Sequence, residues 1–220
     1  CDAIVAICPP AAAVSVAEAV IASGYKGLYI DANAIAPATA RKVASLLSAN
    51  GIDYVDGGVI GGPAWKRGTT WLYLSGERAE EAAAYFASGP LETQVLGENV
   101  DQASAIKVCF AAYTKGTTAL LAGILGAAEA LDVREPLMAQ WARYWPNFDT
   151  ESETKVRKVT AKAWRFAGEM EEISATFAEV GQPAGFHQAA NDIYLRMAEF
   201  KDAPETPSLE AVLESLREAK

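Results

Sequence analysis

Apolar residues fall along this chain in two regimes, and the change between them comes near residue 100. In the first regime short apolar runs alternate with helical patterns. AIVAIC (3 to 8) reads as a buried strand closed by Pro9 and Pro10, and Val14, Ala17, Val20 and Ile21 then recur at helical spacing. GLYIDAN (27 to 33) predicts a second strand ending in polar residues. Pro37 suits a first helical position, and ATARKVASLLSAN carries that helix to Gly51. DYVDGGVIGG (53 to 62) predicts a third strand. Strands that alternate with helices across short loops form right-handed βαβ units on a parallel sheet. TTWLYLSG (69 to 76) alternates and is expected to pair antiparallel at one side, and after the acidic helix ERAEEAAAYFAS the strand TQVLG (93 to 97) closes the sheet. From residue 101 the pattern is almost wholly helical: a long run from 101 to 131, REPLMAQWARYW, the segment 151 to 179 with one broad apolar face, FHQAANDIYLRMAEF and SLEAVLESLREA. Pro146, Gly181-Gln182-Pro183 and DAPETP at 202 to 207 supply the breaks. The expected organisation is an α/β domain over 1–100 and an all-α domain over 101–220.

Composition narrows the function. A net charge of −9 over 220 residues argues against nucleic acid or an anionic membrane surface as partner and leaves a small molecule. Three cysteines without a CxxC pair fit a reducing, cytoplasmic setting rather than a zinc site or a disulfide framework. The single histidine, His187, leaves metal ligation poorly supplied. No run of ~18 uninterrupted apolar residues predicts a membrane span. Cys1 runs straight into a buried strand where a natural chain would begin with methionine, so the sequence reads as N-terminally truncated.

In open α/β sheets ligands bind at the carboxyl edge of the strands. Three segments are expected there: Cys8-Pro9-Pro10, Asp31-Ala32-Asn33 and the run from Gly57 to Pro63. Glycine pairs let backbone approach a ligand and present N–H groups to a carboxylate; the same glycines also serve tight turns, and both roles stand open. GGVIGG follows a strand, but its spacing does not fit the dinucleotide fingerprint G-x-G-x-x-G.

Strand-PP-helix, YIDANAIAP, VDGGVIGGP and a long helix with SAIKVCFAAYTKG, in that order, resemble the β-hydroxyacid dehydrogenases, the superfamily of 6-phosphogluconate and 3-hydroxyisobutyrate dehydrogenases. The AAYTKGTTALL stretch is closest to a poorly characterised branch. The resemblance implies the C-terminal part of a Rossmann-type domain that binds NADP or NAD, with its glycine loop upstream of Cys1. It also implies an interdomain helix and a helical domain that forms a homodimer. It makes Lys107 the general acid/base, Gly61 and Gly62 binders of a substrate carboxylate, Asn33 a contact of substrate and nicotinamide, and Pro9 and Pro10 a cofactor-side loop. Two of the family's substrate residues are lost: the asparagine falls at Ala111 and the serine at Ile60, so the substrate is expected to differ from the usual ones. Imine reductases share the architecture, but Lys107 counts against them. The rival from another class is a non-catalytic binding or dimerisation module.

Chemistry gives Lys107 a task, because oxidising an alcohol by hydride transfer requires removal of the hydroxyl proton, and desolvation lowers a lysine pKa toward the working range. Lys115 lies eight residues further along the helix, ~12 Å at 1.5 Å per residue, too far for contact with Lys107. It is expected either to reach a distal substrate anion or to pair with an acid of the helical domain. His187 is expected to be structural, Cys109 a buried apolar residue, Trp141, Trp145 and Trp164 core or dimer interface, and Glu169, Glu171 and Glu172 a solvated face.

Overall fold

The computed structural model describes residues 1–217. Its elements are β1 (Ala3–Ala6), α1 (Ala13–Ala22), β2 (Leu28–Asp31), α2 (Pro37–Ser48), β3 (Asp53–Gly61), β4 (Thr70–Ser75), α3 (Ala79–Ala84) and β5 (Glu92–Gly97). Helices α4 (Gln102–Ala130), α5 (Arg134–Tyr144), α6 (Phe148–Glu179), α7 (Gly185–Arg196) and α8 (Leu209–Arg217) follow. The sheet runs in the order β1-β2-β3-β4-β5. The first three strands are parallel, β4 is antiparallel to β3, and β5 is parallel to β4. Pro37 occupies the start of α2, where its missing N–H has no intrahelical partner to lose. Asp132 and Asn147 take positive φ in the links before α5 and α6, residues that tolerate that conformation best after glycine.

The polypeptide divides into two compact units within α4 rather than ahead of it. Cys1–Ala111 with Ala175–Val180 form one, and Ala112–Ser174 with Gly181–Lys220 the other. The first turns of α4 pack on β3 and belong with the sheet.

In the α/β unit the two sheet faces bury different sets, as the period of two requires. Leu28, Ile30, Val55, Leu72 and Leu74 pack toward α3. Tyr29 and Tyr54 pack against Ala17 of α1 and Val43 and Leu47 of α2, with Ile52 beside them. On that second face Tyr29 pairs in register with Tyr54 and Asp31 with Asp56. Two aromatic rings thus stack at 6.3 Å, with two carboxyls beyond them at the carboxyl edge.

In the helical unit Leu125, Val156, Ala163, Met170, Ile173 and Tyr194 are fully or almost fully buried. By length and composition alone α4 could cross a membrane; 44% of its apolar stretch is buried inside the protein. Trp145 and Trp164 are 56% and 40% exposed, so neither belongs to the core. Trp145 packs edge-on against Phe148, and the Lys201 ammonium sits over the Trp164 ring. Cys109 is exposed, contrary to the expectation for a small apolar residue, because its position on α4 turns away from the buried Val108 and Ala111.

Candidate functional site

Three strand ends build the candidate site, all within the α/β unit. At the end of β2 the chain passes from Asp31 into Asn33, whose side chain is 2% exposed. The Asn33 N–H donates to the Asp31 carboxylate at 3.1 Å, forming a local turn. Asn33 Oδ1 accepts the backbone N–H of Cys8 at 2.5 Å, tying the segment after β1 to the segment after β2. Its Nδ2 is buried beside the Asp31 carboxyl without a well-formed hydrogen bond among the described residues. A buried donor with unused capacity is costly unless something else satisfies it. Pro9 and Pro10 follow directly, Pro9 exposed and Pro10 opening a short 3-10 turn to Ala12.

The glycines of β3 divide into distinct roles. A Cβ on Gly57 would lie 2.8 Å from the Asp31 carbonyl, and one on Gly58 would lie 2.5 Å from the Ala103 carbonyl and 3.1 Å from Lys107 Cβ. Close packing of β2 and α4 on β3 therefore explains this pair, with no ligand required. Gly61 has φ +130, and a Cβ there would sit 2.5 Å from the Thr69 carbonyl, so the β3–β4 hairpin demands glycine. Gly62 faces open space, and its carbonyl accepts the Thr70 hydroxyl at 2.7 Å. Both Gly61 and Gly62 are exposed.

Lys107 lies on α4 above β3, half-buried, with its ammonium donating to the carbonyl of Val59. A main-chain acceptor at a strand end thus holds the Nζ. Ala111, where the resemblance leads one to expect an asparagine, is buried and offers no polar group.

Sequence reasoning missed the group beneath this arrangement. Asp56 is fully buried, and its carboxylate accepts the Ser104 N–H at 2.7 Å and the Ser104 hydroxyl at 2.6 Å. The Ser75 hydroxyl donates to it at 3.4 Å and in turn accepts the Ala103 N–H at 3.0 Å. Burial pushes the Asp56 carboxyl up to about 7, against the bonds from Ser104, and the nearby Asp31 adds repulsion. Burial likewise pushes Asp31 up to about 6, opposed by Asn33 and by the adjacent Tyr54 hydroxyl. An aspartate inside an otherwise apolar parallel strand was the available signal, since such a group must find partners.

These two carboxyls predict a pH dependence of stability. Folding raises their proton affinity above the ordinary value of 3.8, so between that pH and about 7 the folded chain holds protons that the unfolded chain has released. Resistance to urea is expected to be greatest in mild acid and to decline as pH rises through that window. Asp56→Asn should flatten the decline; an equally steep profile in the variant would refute the assignment.

The remaining candidates lie in the helical unit. Lys115 is ion-paired with Glu169, and its ammonium stands 4.5 Å from the centre of the Phe166 ring. Of the two roles held open for it, the structure shows pairing with an acid of the helical domain. Glu169 is only 5% exposed, which corrects its assignment to a solvated face. Glu169→Gln would leave the lysine charge inadequately compensated, and a loss of about 2 kcal/mol in unfolding free energy is expected by denaturant titration. His187 on α7 is buried against Gly116 and bonded to the Ala112 backbone, and burial holds its pKa below the usual value, the state of a structural imidazole. Among the described residues no cluster of three or more His, Cys, Asp or Glu could hold a metal ion.

A parallel-rich sheet with a buried polar edge, followed by helices, defines the class: this is the 3-hydroxyacid dehydrogenase fold. A conserved hypothetical protein from Sinorhizobium meliloti 1021 superposes with a TM-score of 0.72 at 23% identity, over 98% of this chain and 74% of that one. The conserved protein MTH1747, of unknown function and structurally similar to 3-hydroxyacid dehydrogenases, gives 0.66 at 27% identity over 90% and 76%. Mycobacterium tuberculosis 3-hydroxyisobutyrate dehydrogenase, solved with L-serine, gives 0.64 at 20% identity over 99% and 80%. Residues 128–197 match the model of a domain of unknown function, DUF1932. No curated protein is significantly similar in sequence. The chain therefore shares the fold of these structures.

Proposed function

We propose that the protein is an NAD- or NADP-dependent oxidoreductase that transfers a hydride to or from a small β-hydroxyacid or related carbonyl compound, with Lys107 as general acid/base. The observation that carries this reading is the ammonium of Lys107 fixed on the Val59 carbonyl, at the same sheet edge as the buried amide of Asn33. Asp31 and Asp56 are register partners on adjacent strands, so the segments after them emerge side by side. The donor set fits a nicotinamide: Asn33 Nδ2 has unused capacity for a carboxamide or substrate oxygen, and Pro9 and Pro10 flank it. When bound, the nicotinamide would accept or supply the hydride.

The chain's own residues then have separate tasks. Lys107 takes the hydroxyl proton in oxidation and returns it to the developing alkoxide in reduction. Backbone N–H groups at Gly61 and Gly62 would hold the carboxylate, while Asn33 would orient substrate and cofactor. With Ala111 and Ile60 at two family positions, the substrate pocket is less polar, which favours a substrate other than hydroxyisobutyrate or 6-phosphogluconate. A cytoplasmic location and a homodimer through the helical unit belong to the same proposal; the exposed aromatic pair Tyr144 and Trp145 supports the dimer.

The test is a panel of small β-hydroxyacids, L-serine included, offered with NAD or NADP while nicotinamide reduction is followed optically. Turnover of one class with one cofactor supports the reading. Failure of every pair, with no binding of NADH or NADPH by fluorescence, would favour the non-catalytic module.

A further inference from the structure

Strand β3 holds the start of α4 at three successive places. Asp56 receives the amide and hydroxyl of Ser104 and, through Ser75, the amide of Ala103. Gly58 lies directly beneath Ala103 and Lys107. Val59 accepts the Lys107 ammonium. The first amides of a helix have no partners within it, and a carboxylate at that end is favoured by the helix dipole. A side chain from a neighbouring strand provides that cap here.

Ser104 precedes Lys107 by three residues, so both lie on one side of the helix, toward β3. Anchoring the first turn by its amides sets both the rotation and the height of the next turn over the sheet. The network is wholly internal, since Asp56, Ser75 and Ser104 are each fully buried. Because solvent does not compete with these bonds, loosening one of them releases the helix start.

We propose that Asp56, acting through Ser75 and Ser104, is the positioning residue for Lys107: it locks the first turn of α4 onto β3 so that the lysine ammonium meets the Val59 carbonyl at the carboxyl edge. This rests on the proposed function for its catalytic meaning, but the placement of Lys107 is measurable without cofactor or substrate.

The test is competitive acetylation of the folded chain with acetic anhydride, with the extent at each lysine read by peptide mass spectrometry. Lys42, exposed on α2, and Lys115, ion-paired in the helical unit, serve as internal references. In Ser104→Ala and Asp56→Asn, acetylation at Lys107 should rise by about three- to tenfold, the equivalent of one lost hydrogen bond, while both references stay unchanged. The double variant should exceed the larger single effect only slightly, because the two residues act as one device. Native-like acetylation at Lys107 in the folded variants would overturn the proposal, and so would an equal rise at Lys115, which would signal general loosening. If Asp56→Asn fails to fold by circular dichroism, Ser104→Ala alone decides, since it removes one donor and keeps the backbone bond. Absence of hydroxyacid turnover in the native protein would refute the activity and leave this acetylation result standing.

Discussion

Lys107→Ala should lower kcat on any accepted hydroxyacid by roughly a hundred- to ten-thousand-fold, the usual contribution of a positioned general acid or base. The folded state should persist, because Lys107 is half-buried and its removal leaves only a strand-end carbonyl to rehydrate. KM should change little if the lysine acts on the proton and not on the carboxylate. Lys107→Arg should recover no more than a small part of the rate, since a guanidinium keeps the charge but does not give up its proton near neutral pH. Steady-state kinetics on the three proteins, with circular dichroism as a control for folding, provides the measurement. Unchanged turnover in Lys107→Ala would end the catalytic assignment.

Gly58→Val is expected to have the second large effect, on stability and on the site together. The new Cβ would fall 2.5 Å from the Ala103 carbonyl and 3.1 Å from Lys107 Cβ, and the first of these is backbone that cannot swing aside. Helix α4 would have to lift from β3, at a cost of about 3 kcal/mol by analogy with overpacked cores. Chemical denaturation should show that loss, and any residual activity should fall further than stability explains because Lys107 moves with the helix. Gly62→Ala provides the contrast: nothing lies near that position, so its stability should remain native. Equal stability losses in the two variants would contradict the close-packing explanation.

Much of the architecture was legible from periodicity. The alternation of AIVA, LYID and DYVDGGVIG with helical stretches foretold parallel strands β1 to β3, and the alternating TWLYLS foretold the antiparallel β4. Lys107 stood out because a charged residue in an apolar helix needs a reason. The division within α4 was not legible, since nothing in an unbroken helical pattern marks where its packing partner changes. Glu169 looked like one member of an acidic surface patch; only its position opposite Lys115 across two helices makes it a buried ion pair.

The sequence by itself determined what depends on local repetition: element types, their order and the polar strand ends. Tertiary structure decided what depends on residues distant in the chain. It assigned Gly57 and Gly58 to close packing, directed Lys115 to Glu169 and joined Asp56 to Ser104 across 48 positions. The physical reason is that a period of two or 3.6 specifies which face a residue occupies, whereas a hydrogen bond or a steric contact exists only once the opposing face is known.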